Sequence, residues 1–181
     1  MEILSERINS LPVSATLAMA AKARELKNQG IDIIGLSLGE PDFNTPEFIK
    51  EAAVQAVNDN WNSYSPVDGY ADLKKVVCDK FKRDNKLTYE PSQIVVSTGA
   101  KQSIANVCMV LLNPGDEVLL PAPYWVSYSA IATLAEAKSI IIPSNIETNF
   151  KITPEQLEAA ITPNTKLIMF NSPNNPSGSI Y

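Results

Sequence analysis

The sequence predicts an α/β protein with a largely parallel sheet, and three observations carry that prediction. Short apolar runs alternate with helical patterns from about residue 93 onward. The runs have the length and β-branched composition that are typical of buried parallel strands. One of them, Ile94–Val96, changes to a helical pattern at Ala100, with Gly99 at the joint. Such a helix start favours an anion such as phosphate, although an ordinary βα turn has the same pattern.

The first part of the chain predicts a helix, a strand and a second helix. Residues 15–27 have helical spacing and end before Gly30, a residue that commonly stops helices. Ile31–Leu38 is a predicted strand that ends at Gly39. Thr45-Pro46-Glu47 then predicts a helix start, with a capping hydroxyl and a proline at the first helical position.

Two positions in this part of the chain have both a structural and a functional interpretation. Gly39 either makes a plain turn or leaves room for a substrate to lie against its backbone. Tyr64 lies in a polar, aromatic connection over residues 61–69, ahead of an amphipathic helix predicted over 70–84. Because loops run over the surface, its ring either packs onto the domain or is presented to another molecule.

The second half predicts three more strands, over residues 117–120, 139–143 and 166–170, and the turn residues Asn113-Pro114-Gly115-Asp116 lead into the first of them. Helices are predicted over 126–136 and from Thr153 onward, where Thr153-Pro154-Glu155-Gln156 is a capping box. In open parallel sheets, ligands bind outside the carboxyl ends of the strands. Trp125 follows one such end and either stacks on a planar ligand or packs onto the protein.

The most specific stretch of the sequence follows the last predicted strand. Residues 171–178 contain three asparagines, two prolines and a glycine, a composition that core packing does not explain. The prolines restrict the backbone, and the asparagine amides supply hydrogen-bond donors and acceptors. We therefore expect this loop to belong to a binding site.

The composition limits the possible classes of function. With 181 residues, 45% of them hydrophobic and 19% charged, the chain is typical of a soluble globular protein. A net charge of -5 without a long basic run gives no indication of nucleic-acid binding. Neither a membrane span nor a signal peptide is recognisable, so a cytoplasmic location without membrane attachment is expected. Histidine is absent, which excludes His-ligated metals and Ser-His or Cys-His pairs within these 181 residues, and no metal site is predicted. Cys78 and Cys108 are expected to be buried, reduced thiols.

Several stretches together resemble the class I aminotransferases of fold type I, which use pyridoxal 5'-phosphate, and most closely the aspartate aminotransferases of the bacterial subgroup. They occur in the family's order along essentially the whole chain, at Ser14–Thr16, Gly39–Phe43, Tyr64 with Gly69, Gly99–Gln102, Pro123–Tyr128 and Asn171–Gly178. The resemblance implies a three-layer α/β/α cofactor-binding large domain, incomplete, over residues 46–181. A segment of the small domain would precede it over residues 1–45.

The resemblance also implies a cofactor site. The amides of Gly99 and Ala100 would hold the phosphate, Trp125 would stack on the pyridine ring, and Asn175 would hydrogen-bond its phenolic oxygen. Tyr64 would reach the phosphate bound by a neighbouring subunit, which implies a homodimer with shared sites.

The implied substrates are amino acids and 2-oxo acids, with the amino group of aspartate passing to 2-oxoglutarate in a ping-pong exchange through pyridoxamine phosphate. Gly39, Trp125 and Asn175 would lie around the α-carboxylate end of the substrate. Lys101 matches a lysine near the second carboxylate of dicarboxylic substrates in this subgroup, although a solvated surface lysine is the alternative.

Two departures from the family's pattern affect the expected activity. Family members are about twice as long, and the lysine that forms the Schiff base with the cofactor matches no lysine here. The 181 residues are therefore expected to be a fragment that is inactive alone, with that lysine beyond Tyr181. Some subgroup relatives carry a lysine just before the Ser-Ala-Thr stretch and accept prephenate. Here that place holds Leu11-Pro12-Val13, which makes prephenate less favoured.

Other functions remain open on the sequence. The same fold could act on aromatic or a broad range of amino acids, or it could be a non-catalytic domain that binds the cofactor, as in some transcription regulators. A nucleotide-binding module that uses Gly99 is a further candidate. It lacks the Gly-x-Gly-x-x-Gly fingerprint.

Overall fold

The computed structural model describes residues 3–36, 39 and 41–181. The chain forms two compact units: one combines Met1–Ser14 with Thr98–Tyr181, and the other is Ala15–Ser97. The predicted boundary between residues 45 and 46 stays a prediction, because a unit defined by contacts need not coincide with a domain of the complete protein. No helix within the described residues is both long and apolar enough to cross a bilayer.

Seven α-helices and three strands are found in the described part of the chain. The helices are α1 (Glu6–Asn9), α2 (Ala15–Asn28), α3 (Glu47–Asn58), α4 (Ala71–Lys80), α5 (Ala100–Leu111), α6 (Ser127–Leu134) and α7 (Pro154–Ala160). The strands are β1 (Glu117–Pro121), β2 (Lys138–Ile142) and β3 (Thr165–Ile168).

The first unit contains a three-stranded parallel sheet in the order β2-β1-β3. Leu119 of β1 pairs with Ile140 of β2 and with Ile168 of β3. All five residues of β1 are buried, as expected for the central strand of a parallel sheet. The predicted parallel α/β architecture is therefore confirmed.

Helices cover both faces of this sheet. Cys108 of α5 and Ala132 of α6 join Val118 and Leu120 of β1 in one buried cluster on the first face. On the opposite face, Leu157 of α7 lines an apolar cavity of about 320 Å³ together with strand residues. The predicted three-layer arrangement is thus present. Both cysteines are buried and free, as predicted, and burial raises the pKa of the Cys108 thiol.

Turn and helix-cap residues in the sequence account for several elements of this unit. The turn before β1 closes with a 3.0 Å hydrogen bond from the Asp116 amide to the Asn113 carbonyl oxygen. Helix α7 begins with the predicted capping box, in which Thr153 and Gln156 bind each other's backbone amides. Helix α6 occupies the predicted range, although it is shorter at both ends.

The second unit is helical in its described part, and two predicted strands are absent from it. Residues 31–36 have no regular structure, and the rest of the predicted strand Ile31–Leu38 lies outside the described residues. Ile94–Val96 also has no regular structure, and the Val96 amide donates to the Asp68 carbonyl oxygen at 3.0 Å. Both predictions were wrong over the described residues, because a strand needs a neighbouring strand and none pairs with either segment there.

The helices of this unit follow the sequence more closely. Helix α2 confirms the prediction, and Gly30 after it has a φ of 80°. Helix α3 also forms, but its N-cap is Pro46 and no side chain caps it, so the predicted Thr45 cap was wrong. The predicted helix over 70–84 is divided into α4 and a π-helical turn, Phe81–Asn85.

Candidate functional site

The carboxyl edge of the sheet brings together two of the loops that the sequence indicated. Strand β1 ends at Pro121 and leads to Trp125, and β3 leads to the loop over residues 171–178. Because β1 and β3 are parallel neighbours, their carboxyl ends lie at the same edge. Ligands of open parallel sheets bind at this edge.

The start of α5 has backbone donors that lack partners in the described structure. Gly99 is its N-cap, with φ 85° and ψ 162°, a backbone conformation that is essentially restricted to glycine. Glycine offers no side chain to cap the helix, and no acidic residue lies in the first turn. The amides of Gly99, Ala100 and Lys101 have no acceptor among the described residues, and all three residues are exposed. This helix start can therefore hold an anion.

Gln102 makes hydrogen bonds to the two residues before α5, Thr98 and Gly99. Its side-chain oxygen accepts a hydrogen bond from the Thr98 amide, and its own amide donates to the Gly99 carbonyl oxygen at 3.2 Å. Sequence patterns did not single out Gln102 as a site residue. A glutamine at the third helical position was the available signal, because that is the place of the glutamine in a capping box.

Trp125 contacts both a cation and a buried ring. The Lys101 ammonium nitrogen lies 4.9 Å from the centroid of the indole. The Tyr128 ring meets Trp125 edge-on, with centroids 5.6 Å apart and an interplanar angle of 85°. Trp125 is half-buried against the core cluster, whereas Tyr128 belongs to that cluster, and burial raises the pKa of the Tyr128 hydroxyl. The indole therefore both packs and remains partly accessible.

The three asparagines of the loop over residues 171–178 have different roles. Asn174 is buried, and its Oδ1 accepts hydrogen bonds from the Ser177 amide at 3.1 Å and the Ser177 hydroxyl at 2.8 Å. Asn171 donates to the Pro173 carbonyl oxygen at 2.7 Å and accepts from the Asn175 amide at 3.4 Å. The Asn175 side chain is exposed and has no hydrogen-bond partner in the described part of the chain. Two asparagines thus fix the loop, and the third presents a free amide.

The two remaining predicted residues, Gly39 and Tyr64, belong to the second unit. Gly39 is exposed, and no atom of the described residues lies within 4 Å of a Cβ placed on it. Its neighbours Ser37, Leu38 and Glu40 lie outside the described residues. The Tyr64 side chain is fully exposed, so it does not pack onto the described part of its own chain. The predicted roles of both residues stay predictions.

The first unit therefore offers free amides for an anion, a partly accessible indole for a planar ring and a free carboxamide. A family model described as "Aminotransferase class I and II" matches residues 31–181. The chain belongs to this family. The predicted family resemblance is thus confirmed.

Relatives of this aminotransferase family match nearly the whole chain. An aspartate/prephenate aminotransferase of Nitrosomonas europaea is 51% identical over 98% of this chain and 45% of its own length. The structure of an aspartate aminotransferase from Rhizobium meliloti has a TM-score of 0.94 at 45% identity, covering 100% of this chain and 45% of that one. A Thermus thermophilus aspartate aminotransferase with maleate has a TM-score of 0.96 at 42% identity, over 100% of this chain and 47% of that one. The chain thus spans somewhat less than half the length of these family members.

Proposed function

We propose that the complete protein is a pyridoxal 5'-phosphate-dependent aminotransferase that moves the amino group of aspartate to 2-oxoglutarate by a ping-pong mechanism. Membership of the family supports the reaction class. The names of similar proteins, aspartate and aspartate/prephenate aminotransferase, support an acidic amino-acid substrate. A cytoplasmic location stays part of the proposal.

The observation that carries this proposal is the uncapped start of α5. Three exposed amides, on residues 99–101, have no acceptor in the described part of the chain and fit the phosphate of the cofactor, because hydrogen bonds to an anion are charge-assisted. The partly accessible indole of Trp125 fits an aromatic ring, and the free carboxamide of Asn175 can donate to a phenolic oxygen. The residues present therefore suit the group that the family uses.

The protein's own residues would bind and orient the reactants. Gly99 and Ala100 would hold the phosphate, and Trp125 would fix the plane of the ring. Asn175 would bind the phenolic oxygen and, with Gly39, border the substrate α-carboxylate. When bound, the cofactor supplies the electron sink that weakens the bonds at the substrate's α-carbon.

Lys101 would bind the second carboxylate of a dicarboxylic substrate. Its ammonium has no carboxylate within 4.0 Å among the described residues, so its charge is available. The structure of the Thermus thermophilus relative is that of the protein with maleate, which is a dicarboxylate. An ammonium would favour such a ligand over one with an apolar side chain.

Tyr64 would bind the cofactor phosphate of a second subunit. A fully exposed tyrosine is unusual unless the ring has a partner, because an aromatic ring gains stability by burial. We therefore propose a homodimer in which each subunit completes the other's site. Sedimentation of the complete protein would test the dimer, and Tyr64→Phe should weaken cofactor binding without dissociating it.

The reaction class can be tested with the complete protein. Addition of pyridoxal 5'-phosphate should produce a visible absorption band, and borohydride should then attach the cofactor irreversibly to one lysine. Mapping the modified peptide identifies that lysine. A folded protein that stays colourless would contradict the proposal, whereas a coloured protein without transfer of the amino group would indicate a non-catalytic cofactor-binding domain.

A second candidate substrate is prephenate. Two of the similar proteins, 51% and 50% identical to this chain, are named aspartate/prephenate aminotransferases. Against this, Leu11-Pro12-Val13 offers no lysine before the Ser-Ala-Thr stretch. Comparing prephenate with 2-oxoglutarate as amino-group acceptor would separate the two candidates, and the same assay with aromatic amino acids would reveal a broad specificity.

A further inference from the structure

The position of Lys101 is electrostatically unfavourable. It is the second residue of α5, where the helix dipole and the free amides give a partial positive charge. A lysine there would normally be paired with a carboxylate, yet no carboxylate of the described residues lies within 4.0 Å of its ammonium. Cation and amides together form an electropositive surface that an anion would neutralise.

An aromatic ring holds this cation in place of a carboxylate. The ammonium lies over the Trp125 ring at 4.9 Å from its centroid, within the range of a cation–π contact. Such a contact orients the flexible lysine side chain but leaves its net charge uncancelled. A paired aspartate or glutamate would orient the lysine equally well and would also cancel the charge that a substrate carboxylate needs.

Tyr128 fixes the ring that holds the cation. It is only 7% exposed and belongs to the core cluster, so its own position is set by packing. Its ring meets the indole edge-on at 85°, which is a favoured geometry for an aromatic pair. A chain of contacts therefore runs from the core through Tyr128 and Trp125 to the Lys101 ammonium.

We propose that Trp125 and Tyr128 are positioning residues for substrate selection: they aim the Lys101 ammonium and so set a preference for substrates with two carboxylates. The inference rests on the proposed function and deepens it, because it assigns the selectivity to three residues rather than to the lysine alone. Tyr128 would act without touching the substrate.

The readout is the ratio of kcat/KM for aspartate to kcat/KM for alanine, measured on the complete, cofactor-saturated protein. Because both substrates use the same enzyme preparation, partial inactivation cancels in this ratio. Lys101→Ala should lower the ratio by about tenfold, as expected for loss of one charged contact. Trp125→Phe and Tyr128→Leu should lower it severalfold, whereas the control Tyr128→Phe, which keeps the ring, should leave it unchanged.

A double-substitution cycle separates positioning from general damage. In a Lys101→Ala background, Trp125→Phe and Tyr128→Leu should have no further effect on the ratio, because the group that they aim is gone. An unchanged ratio in Trp125→Phe and Tyr128→Leu would overturn the inference. If Tyr128→Leu fails to fold, Trp125→Phe decides alone. An unsubstituted protein that binds no cofactor would instead contradict the proposed function.

Discussion

Two helices of the same unit begin in opposite ways. At the start of α7, the Thr153 hydroxyl accepts from the Gln156 amide at 3.3 Å, and the Gln156 side chain accepts from the Thr153 amide at 2.9 Å. Glu155 adds a negative charge to the first turn. At the start of α5, Gly99 has no side chain to cap the helix, and the first turn contains Lys101 instead of an acid.

The difference shows how the sequence keeps one helix start available for a ligand. Every α-helix begins with amides that lack an intrahelical partner, and these need an acceptor from elsewhere. In α7 the side chains beside the helix start provide that acceptor and a compensating charge. In α5 they provide neither, and this helix start lies in the unit whose sheet edge presents Trp125 and Asn175. We infer that the amides at the start of α5 bind an anion in the complete protein.

The largest expected effect is that of a side chain at the α5 N-cap. Gly99→Ala introduces no clash with the described residues, since none of their atoms beyond the chain neighbours of Gly99 lies within 4 Å of the added Cβ. The backbone at φ 85° would nevertheless be strained by about 1–3 kcal/mol. Relief of that strain would turn the amides of Gly99 and Ala100 away from the cofactor phosphate that both are proposed to bind. We expect the affinity for pyridoxal 5'-phosphate to fall about tenfold or more, as measured by titration of the absorption band.

Gly115→Ala is the matched control for this substitution. Gly115 also has a positive φ, 94°, and open space around its Cβ, but it lies in the turn before β1. Both variants should lose stability in urea, and only Gly99→Ala should lose cofactor affinity. An equal loss of affinity in the two variants would show that the open start of α5 has no special role.

A smaller effect is expected where each helix uses a glutamine at its third position. Gln102→Leu frees the Thr98 amide, so the peptide that leads into Gly99 is no longer held. Gln156→Leu breaks the capping box of α7 in the same way. Each should cost about 1 kcal/mol of unfolding free energy. Cofactor affinity should fall severalfold in Gln102→Leu alone, and a fall in Gln156→Leu would argue against the distinction.

The parts of the fold that the sequence predicted well are those with local signals. The turn residues Asn113–Asp116 predicted the start of β1, and Thr153 predicted the start of α7. The segments at Ile31 and Ile94 have equally good strand composition but no paired neighbour in the described structure. Residue composition shows only that a segment is able to form a strand. Whether the strand forms depends on pairing with a second segment, which can lie far along the chain.

The site was predictable to a similar extent. Gly99, Trp125 and the loop at 171–178 were identified from their residue types and their places after predicted strands. The contact between Lys101 and Trp125 was not, because the two residues are distant in sequence and only the fold joins them. Nor could residue type distinguish Asn175 from Asn174, since burial alone makes one a free amide and the other a support of the loop.

Removal of the α7 cap should affect stability without affecting the site. Thr153→Ala deletes the hydroxyl that accepts from the Gln156 amide, and such a loss costs about 1 kcal/mol. Thr153→Ser keeps an acceptor and should restore most of the stability. Urea unfolding monitored by circular dichroism measures both, and cofactor affinity should remain that of the unsubstituted protein. A loss of affinity in Thr153→Ala would mean that the two helix starts are not independent.

The smallest expected effect is the pH dependence that Glu155 gives to α7. A hydrogen bond with Thr153, and then one with its own backbone amide, holds the pKa of the Glu155 carboxyl below its ordinary value of 4.5. A lowered folded-state pKa means that the ionised form stabilises the folded protein above the ordinary value, and that this stability is lost as the pH falls through the folded-state pKa. Glu155→Gln should therefore lower stability at pH 7 and make little difference once the pH has fallen below the folded-state pKa of Glu155.

The cause of this pH dependence can be tested in the same experiment. If the Thr153 hydroxyl holds the carboxylate, the loss of stability that Glu155→Gln causes at pH 7 should shrink once Thr153→Ala is also present. An undiminished loss would assign the effect to the backbone amide and helix dipole alone.

The first turn of α5 has no acidic residue, so the negative charge that Glu155 supplies in α7 would there come from a bound anion. Added phosphate should therefore stabilise the unsubstituted protein but not Gly99→Ala.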